Sequence, residues 1–341
     1  MDHRHLLFAG LISLLIVGCG GGGGGGSNAA EPSAPAPATT LPPGTTLRVA
    51  AAPEKGFHYP YYLHVPANVT AGGNGRLIVE SNNTGTISDD QAFHDGAVQR
   101  SLANVGSIGQ QVATRTGNVF LMPAFVRPAT KWDHYTHSLD RDTLVVRLTA
   151  EERALMGNFE RIDLQLLAMI ADARERLGAA GYRTADRVWL TGFSASGVFA
   201  NRFAALHPTA VEAVAAGGVN ATAFLPVPVY NGVVLPYPMG TSDMEQVVGK
   251  PFEPSAYAAV RQFLFMGSLD TNDATEYRDA WSEQEAQLWW TLMGRDMPGR
   301  WVNLQNALRT NLPGIVTRSY GIGHTYNSEV LNDVTNFLRA D

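Results

Sequence analysis

Residues Arg187 to Gly197 read Arg-Val-Trp-Leu-Thr-Gly-Phe-Ser-Ala-Ser-Gly. A short apolar run typical of a buried parallel strand passes into a helical pattern through a turn of small residues. Such a turn holds its central serine, Ser194, in a strained backbone conformation with the hydroxyl exposed above the sheet. The helix that follows supplies free N–H groups, among them the amide of Ala195, to a developing oxyanion. We therefore predict a nucleophile at Ser194 and an oxyanion donor at Ala195.

The same turn has a simpler interpretation. Ser194 or Ser196 would serve only as the cap of the helix, because serine side chains satisfy the free N–H groups of a first helical turn. Ser196 also stands where a Gly-x-Ser-x-Gly turn carries its second glycine, which comes here one place later, as Gly197. Serine is small enough for that position, and the flanking strand and helix favour the nucleophile.

Strand and helix patterns alternate along most of the chain. Short apolar or alternating runs predict strands at residues 47–51, 59–65, 76–80, 118–122, 187–191, 211–217, 262–266 and 314–320. Helical spacing of apolar residues appears at residues 91–113, 163–177, 196–206 and 327–339. This alternation predicts an α/β protein whose central sheet is mostly parallel and is covered by helices on both faces.

Three segments are too long for simple connections, namely residues 123–160, 218–261 and 275–313. We expect loops or small helices there, over one rim of the sheet. Each tryptophan in these segments suits the packed core of a loop, and we expect that some of them together line a pocket. These tryptophans are Trp132, Trp281, Trp289, Trp290 and Trp301.

A serine nucleophile needs a base, and the base needs a carboxylate that orients it. Asp270 follows a buried run and stands three residues after Gly267, so we predict it as the carboxylate, with Asp273 as its competitor. Both aspartates also suit an exposed turn. His324 lies in a glycine-flanked loop after the last strand, and it is the only histidine that follows the acid in the chain. We predict it as the base.

Two further histidines, His134 and His137, have a spacing that suits a metal only if the segment is helical. No carboxylate pattern completes such a site. We therefore expect neither a metal nor an organic cofactor.

The amino terminus resembles a bacterial lipoprotein signal. An apolar run from Leu6 to Val17 would span roughly 18 Å as a helix, too short to cross a hydrocarbon layer of about 30 Å. It ends at Cys19, so we expect residues 1–18 to be removed as a signal peptide and Cys19 to carry the lipid, such as palmitate. Gly20 in place of an aspartate implies the outer membrane of the cell envelope. Residues 19–45, rich in Gly, Ala and Pro, form a tether, and residues 46–341 the folded domain.

Composition excludes other classes. The chain of 341 residues carries a net charge of −6, and its basic residues are scattered, so we expect no nucleic-acid partner. A single cysteine excludes an intramolecular disulfide and a thiolate zinc site. The sequence gives no indication of the oligomeric state.

The order Ser194, Asp270, His324 and its strand context resemble the α/β-hydrolase superfamily. The Asn-Arg pair in the helix after the serine turn and the His-Pro pair that ends it are similar to secreted esterases of the polyhydroxybutyrate depolymerase and feruloyl esterase type. Those enzymes carry His-Gly-x-Gly-Gly where this chain has residues 81–85, Ser-Asn-Asn-Thr-Gly. Aligned on the strand, the resemblance makes the amide of Thr84 the second oxyanion donor.

This resemblance implies a single-domain, lipid-anchored serine esterase. Its substrate would be a small or polymeric carboxylic ester, either a polyester or hydroxyacid oligomer or an acyl or aryl ester. Two alternatives remain: a serine peptidase of the same fold, and a catalytically silent lipoprotein that binds a component of the envelope.

Overall fold

A computed structural model describes residues 40–70, 72–104, 106–145 and 147–340. The predicted signal peptide, Cys19 and most of the predicted tether lie outside the described residues, so their assignments stay predictions. None of the helices in the described ranges is long and apolar enough to cross a membrane.

The centre of the molecule is an eight-stranded sheet. Its strands lie in the order β1-β2-β4-β3-β5-β6-β7-β8, and β2 alone runs opposite to the other seven strands. The strands are β1 (Thr45–Val49), β2 (Tyr61–Val65), β3 (Leu77–Val79), β4 (Val119–Pro123), β5 (Val188–Phe193), β6 (Val211–Gly217), β7 (Arg261–Gly267) and β8 (Val316–Tyr320). Two short ribbons pair residues 74–75 with 183–184 and residues 229–230 with 233–234.

Helices connect these strands. They are α1 (Gln91–Ala103), α2 (Ile108–Thr116), α3 (Asp142–Val145), α4 (Ala150–Met156), α5 (Ile162–Ala179), α6 (Ala195–Leu206), α7 (Met244–Val248), α8 (Pro254–Ala258), α9 (Glu283–Met293), α10 (Met297–Asn311) and α11 (Ser328–Arg339). The alternation of parallel strands with helices confirms the predicted α/β class.

Apolar residues pack on both faces of the sheet. Along β7, Leu264 and Met266 belong to one buried cluster, whereas Phe263 and Phe265 belong to a second. Since successive side chains of a strand point to opposite faces, the two clusters cover the two sides of the sheet. The sheet is therefore buried on both faces, as a mostly parallel sheet requires.

Two predicted segments differ from the structure. The single helix expected over residues 91–113 is two helices, because Ser107 begins a second one by accepting a hydrogen bond from the amide of Gln110. The segment 275–313, expected to hold loops or small helices, contains the full helices α9 and α10. Trp289 and Trp301 of these helices are buried in the core.

Candidate active site

The turn between β5 and α6 holds Ser194 in an unusual backbone conformation. Its φ of 61° and ψ of −129° lie where residues with a side chain are rarely found. The amide of Ser194 donates a hydrogen bond to the Gly217 carbonyl oxygen, 2.9 Å away on the neighbouring strand β6. The chain thus turns sharply from strand to helix, and the strained residue is the predicted nucleophile.

Glycines make this turn possible. A Cβ on Gly192 would lie 2.2 Å from the carbonyl oxygen of Ser196, and a Cβ on Gly197 would lie 2.4 Å from that of Gly217. The close approach of α6 to β6 therefore falls at Gly197, which explains why position 196 accepts a serine. The Ser196 hydroxyl accepts a hydrogen bond from the amide of Phe193 and donates one to its carbonyl, both at 2.9 Å. Ser196 thus closes the turn.

Hydrogen bonds join Ser194, His324 and Asp270. The Ser194 Oγ lies 2.9 Å from His324 Nε2, and His324 Nδ1 lies 2.8 Å from Asp270 Oδ2. A carboxylate only accepts, so His324 Nδ1 carries the proton and Nε2 is free to accept the serine proton. Asp270 is buried, whereas the His324 side chain keeps 26% of its surface exposed. This is the geometry of a nucleophile, a base and the carboxylate that orients the base.

Asp273, the competing carboxylate, has different partners. Its Oδ1 lies 2.6 Å from Nη2 of the fully buried Arg300. The same oxygen accepts hydrogen bonds from the amide and the hydroxyl of Thr275, at 3.0 and 2.6 Å. The structure therefore brings Asp270 to His324 and gives Asp273 an ion pair with Arg300.

Asn272 is a neighbour of His324 that the sequence did not single out. Its backbone N–H donates to Asp270 Oδ1 at 2.9 Å, and its side-chain Nδ2 lies 3.3 Å from His324 Nε2. The same Nδ2 donates to Asn220 Oδ1 at 3.2 Å. An asparagine two residues after an aspartate is a turn signal, and that pattern gave no reason to place it beside the histidine.

The loop after β3 lines the same cavity as Ser194 and His324. Thr84 and Gly85 are part of the cavity wall, and the side chain of Asn83 donates to the Phe193 carbonyl at 3.3 Å. Asn82 is buried, and its amide group binds the amide and the carbonyl of Phe125 at 3.0 and 2.9 Å. Asn82 therefore holds the loop in place, and Thr84 lies on the wall of the cavity that Ser194 also lines.

Glu80, directly after β3, holds the start of this loop in place through hydrogen bonds. Its Oε2 accepts hydrogen bonds from the amide of Gly109 at 2.7 Å and from the Thr191 hydroxyl at 3.0 Å. Burial raises the pKa of Glu80 to about 7, although both hydrogen bonds favour the charged form. Glu80 thus ties the loop both to the start of α2 and to the strand that ends in the serine turn.

The cavity above Ser194 has a volume of about 870 Å³. Its rim comes from two of the long segments and from the loop after β3, and it carries exposed apolar surface: Trp132 is 57% exposed, Tyr277 48% and Ile87 41%. Arg127 also lines the cavity, stacked on the ring of Tyr135 with its guanidinium carbon 3.7 Å from the ring centre. Trp132 is one of the tryptophans of which some were expected to line a pocket, whereas Tyr277, Ile87 and Arg127 had no recognisable pattern in the sequence.

The described residues contain no group of three or more His, Cys, Asp and Glu side chains that could hold a metal ion. His134 and His137 are both buried, and they serve packing. His134 lies edge-on to Phe159 with ring centres 5.1 Å apart, and His137 Nε2 donates to the Phe125 carbonyl at 2.8 Å. Burial lowers the pKa of His137 to about 3, so its ring is neutral.

The sheet order and the serine turn define an α/β-hydrolase fold, and comparison with solved structures agrees. Poly(aspartic acid) hydrolase-1 from Sphingomonas sp. KT-1 has a TM-score of 0.55 and 15% identity, over 87% of this chain and 98% of that one. A poly(3-hydroxybutyrate) depolymerase from Bordetella parapertussis has a TM-score of 0.51 and 18% identity, over 87% and 90% of the two chains. The sequence matches no family model, and no curated protein is similar to it.

Proposed function

We propose that the protein is a serine hydrolase that cleaves carboxylic esters through an acyl-enzyme. The observation that carries the proposal is the hydrogen-bonded chain from Ser194 through His324 to Asp270, on the wall of an open cavity. A neutral imidazole bonded to the serine hydroxyl is the arrangement that activates a serine for attack on a carbonyl carbon.

In the first half of the reaction, Ser194 Oγ attacks the ester carbonyl carbon as its proton passes to His324 Nε2. Asp270 stabilises the imidazolium that forms. The negative charge on the former carbonyl oxygen is received by the amides of Ala195 and Thr84. The C–O bond to the alcohol then breaks, and the leaving alcohol takes the proton from His324.

In the second half, a water molecule gives its proton to His324 and attacks the acyl-enzyme. The tetrahedral intermediate collapses, releases the acid and returns the proton to Ser194. All the groups this cycle needs are side chains and amides of the chain itself.

For the substrate, we propose hydroxyacid oligomers, polyesters, or acyl and aryl esters. The support is the exposed apolar surface of Trp132, Tyr277 and Ile87 at the cavity rim, since such surface favours contact with apolar parts of a substrate. A panel of short p-nitrophenyl esters, hydroxybutyrate oligomers, lactide polymers, feruloyl esters and peptides tests this. Hydrolysis of peptides alone would point to a peptidase.

The decisive control is Ser194→Ala. We expect its kcat on any ester of the panel to fall by roughly 10⁵- to 10⁶-fold, because the nucleophile is removed. Equal rates for the two proteins would show that the hydrolysis does not come from this site. A lack of hydrolysis across the panel by folded wild-type protein would favour a silent binding lipoprotein.

We also propose that the domain is held at the bacterial cell envelope by a lipid on Cys19, on the outer membrane. The support is the sequence of residues 1–20, with its short apolar run followed by cysteine and glycine. Cys19→Ala is expected to move the protein from the membrane fraction to the soluble fraction with its esterase activity intact. Membrane association that survives the substitution would contradict this assignment.

A further inference from the structure

Three arginines are buried among the described residues, and they differ in their partners. Arg127 forms an ion pair with Asp279, and Arg300 forms one with Asp273 at 2.6 Å. Arg202, only 1% exposed, has no carboxylate within ion-pair distance in the described part of the chain. A buried charge is costly unless it is paired, so Arg202 requires an explanation.

Arg202 uses only some of its N–H groups in hydrogen bonds. Its Nη1 donates to the carbonyls of Ser138 and Leu139 at 3.0 and 3.5 Å, and Nε has no partner. The guanidinium carbon lies 5.6 Å from the ring centre of Trp281. A guanidinium has five N–H donors and stays charged at any physiological pH.

Two carboxyl groups act on Arg202 from beyond ion-pair distance, Glu285 and Asp140. Oε2 of Glu285 accepts hydrogen bonds from the amide and the hydroxyl of Ser282 at 2.9 and 2.7 Å. Asp140 is occupied as well. Its Oδ2 accepts from the amide of Tyr135 at 2.6 Å, and its Oδ1 from the amide of Thr143 at 3.0 Å. Burial also raises the pKa of Asp140 to about 7, so it is only partly ionised near neutral pH. Asp140 therefore does not neutralise Arg202 in the way that Asp279 and Asp273 neutralise the other two arginines.

Arg202 lines a narrow recess that starts at Ser194. Ser194, Ala195, Val198 and Arg202 stand on one side of α6 and form one wall, and Trp281 lies on another. The recess measures about 30 Å³, which is room for roughly two water molecules or one group of three heavy atoms. A planar carboxylate has that size.

In the proposed reaction, the recess would lie on the acyl side of the scissile bond. His324, which must protonate the leaving alcohol, lines the wide cavity together with Thr84, whereas neither residue is among those that line the recess. The alcohol therefore leaves through the wide cavity, and the recess faces the part of the substrate that stays on Ser194.

We infer that the recess receives a carboxylate carried by the acyl part of the substrate, with Arg202 as its counterion. The substrate class is then a half-ester of a short dicarboxylic acid, such as succinate. This inference rests on the proposed ester hydrolysis by Ser194. A substrate carboxylate would form charge-assisted hydrogen bonds with Arg202, which has no ion-pair partner among the described residues.

The test compares two esters that differ in charge and hardly in shape, ethyl hydrogen succinate and ethyl succinamate. We expect the full-length wild-type protein to hydrolyse the anionic ester with a kcat/KM about 10- to 100-fold above that of the neutral one. In Arg202→Met this ratio is expected to fall to about one, and in Arg202→Lys to an intermediate value. The ratio cancels any general loss of activity.

Arg300→Met is the matched control, because it removes a buried arginine that already has a carboxylate partner. Its ratio is expected to equal that of the wild type, with folding of all variants checked by thermal unfolding. A wild-type ratio near one, or an unchanged ratio in folded Arg202→Met, would overturn the inference.

Calorimetric binding to Ser194→Ala separates this inference from the proposed reaction. We expect ethyl hydrogen succinate to bind this variant at least tenfold more tightly than ethyl succinamate. If p-nitrophenyl acetate is hydrolysed but the two succinic esters bind equally, the recess proposal fails alone. If binding discriminates but no ester is hydrolysed, the proposed reaction fails and the anion site stands.

Discussion

Two regions meet at the cavity, and they are built differently. The first, which we call the catalytic edge after its proposed role, consists of groups at or just beyond the ends of strands: Ser194 after β5, Asp270 three residues beyond β7 and His324 four residues beyond β8. The rim consists of side chains from the long connecting segments, such as Trp132 and Tyr277. The sheet fixes the position of the first group, while only loop packing fixes the second.

Under the proposed function, this difference separates the residues of the reaction from those of substrate specificity. Parallel strands bring their carboxyl ends to one edge, so a serine, an acid and a histidine at three such ends must come close together. The rim carries no such constraint, and we expect it to tolerate substitution with modest effects.

The largest effect is expected at the acid. Asp270→Asn leaves the shape intact but no longer fixes the tautomer of His324, so we expect kcat to fall roughly 10⁴-fold. Asp273→Asn is the matched control: it removes the partner of the buried Arg300, so it should lower the free energy of unfolding by about 3 kcal/mol while changing kcat less than tenfold. Steady-state kinetics and denaturant unfolding measure both. The opposite pattern would make Asp273 the acid.

The serine turn is expected to allow almost no change in volume. In Gly197→Ala the new Cβ would lie 2.4 Å from the carbonyl oxygen of Gly217, and we expect a loss of at least about 3 kcal/mol in folding free energy. Ser196→Ala removes only the hydroxyl that binds Phe193, and should cost about 1 kcal/mol. Equal stability of Gly197→Ala and wild type in urea unfolding would show that the turn is not tightly packed.

Glu80 should make stability depend on pH. Burial raises the pKa of its carboxyl from the usual 4.5 to about 7, so the unfolded chain releases this proton at lower pH than the folded one. The stabilising effect of the protonated carboxyl is complete below pH 4.5 and is lost as the pH rises to about 7, by up to about 3 kcal/mol. Chemical unfolding of the wild type and of Glu80→Gln over this pH range checks this prediction. The difference between their free energies of unfolding should grow with pH and then level off.

The smallest effect is expected at the rim. Trp132 is more than half exposed, so Trp132→Ala should change the unfolding temperature little. We expect kcat/KM for a feruloyl ester or a hydroxybutyrate oligomer to fall about 3- to 10-fold, with a smaller fall for p-nitrophenyl acetate, which is too small to reach the ring. A fall of several hundredfold for the acetate would place Trp132 in the catalytic edge instead.

The sequence predicted that Ser194, Asp270 and His324 come together because each of them carries a local signal. Ser194 stands in a strand–turn–helix pattern, and Asp270 and His324 follow buried runs and glycines. It predicted the eight strands within a few residues for the same reason, since buried strands are short apolar runs between turn residues.

The remaining features depend on contacts between distant segments. The break between α1 and α2 comes from a single serine cap, which an otherwise continuous helical pattern conceals. The position of Asn272 beside His324, and the pairing of Arg127 with Asp279, arise only when separate segments pack together. The lack of an ion-pair partner for Arg202 among the described residues likewise cannot be predicted from its place in a helix with no other charged residue.

The proposed function depends on the reactivity of Ser194. The most direct measurement is to treat the folded protein with a fluorophosphonate and to locate the adduct by peptide mass spectrometry. We expect a single adduct on Ser194, absent in Ser194→Ala and strongly slowed in His324→Ala, because the hydroxyl is nucleophilic only beside its base. A folded protein that takes up no label, or one labelled on a different residue, would contradict the proposed role of Ser194 as the nucleophile.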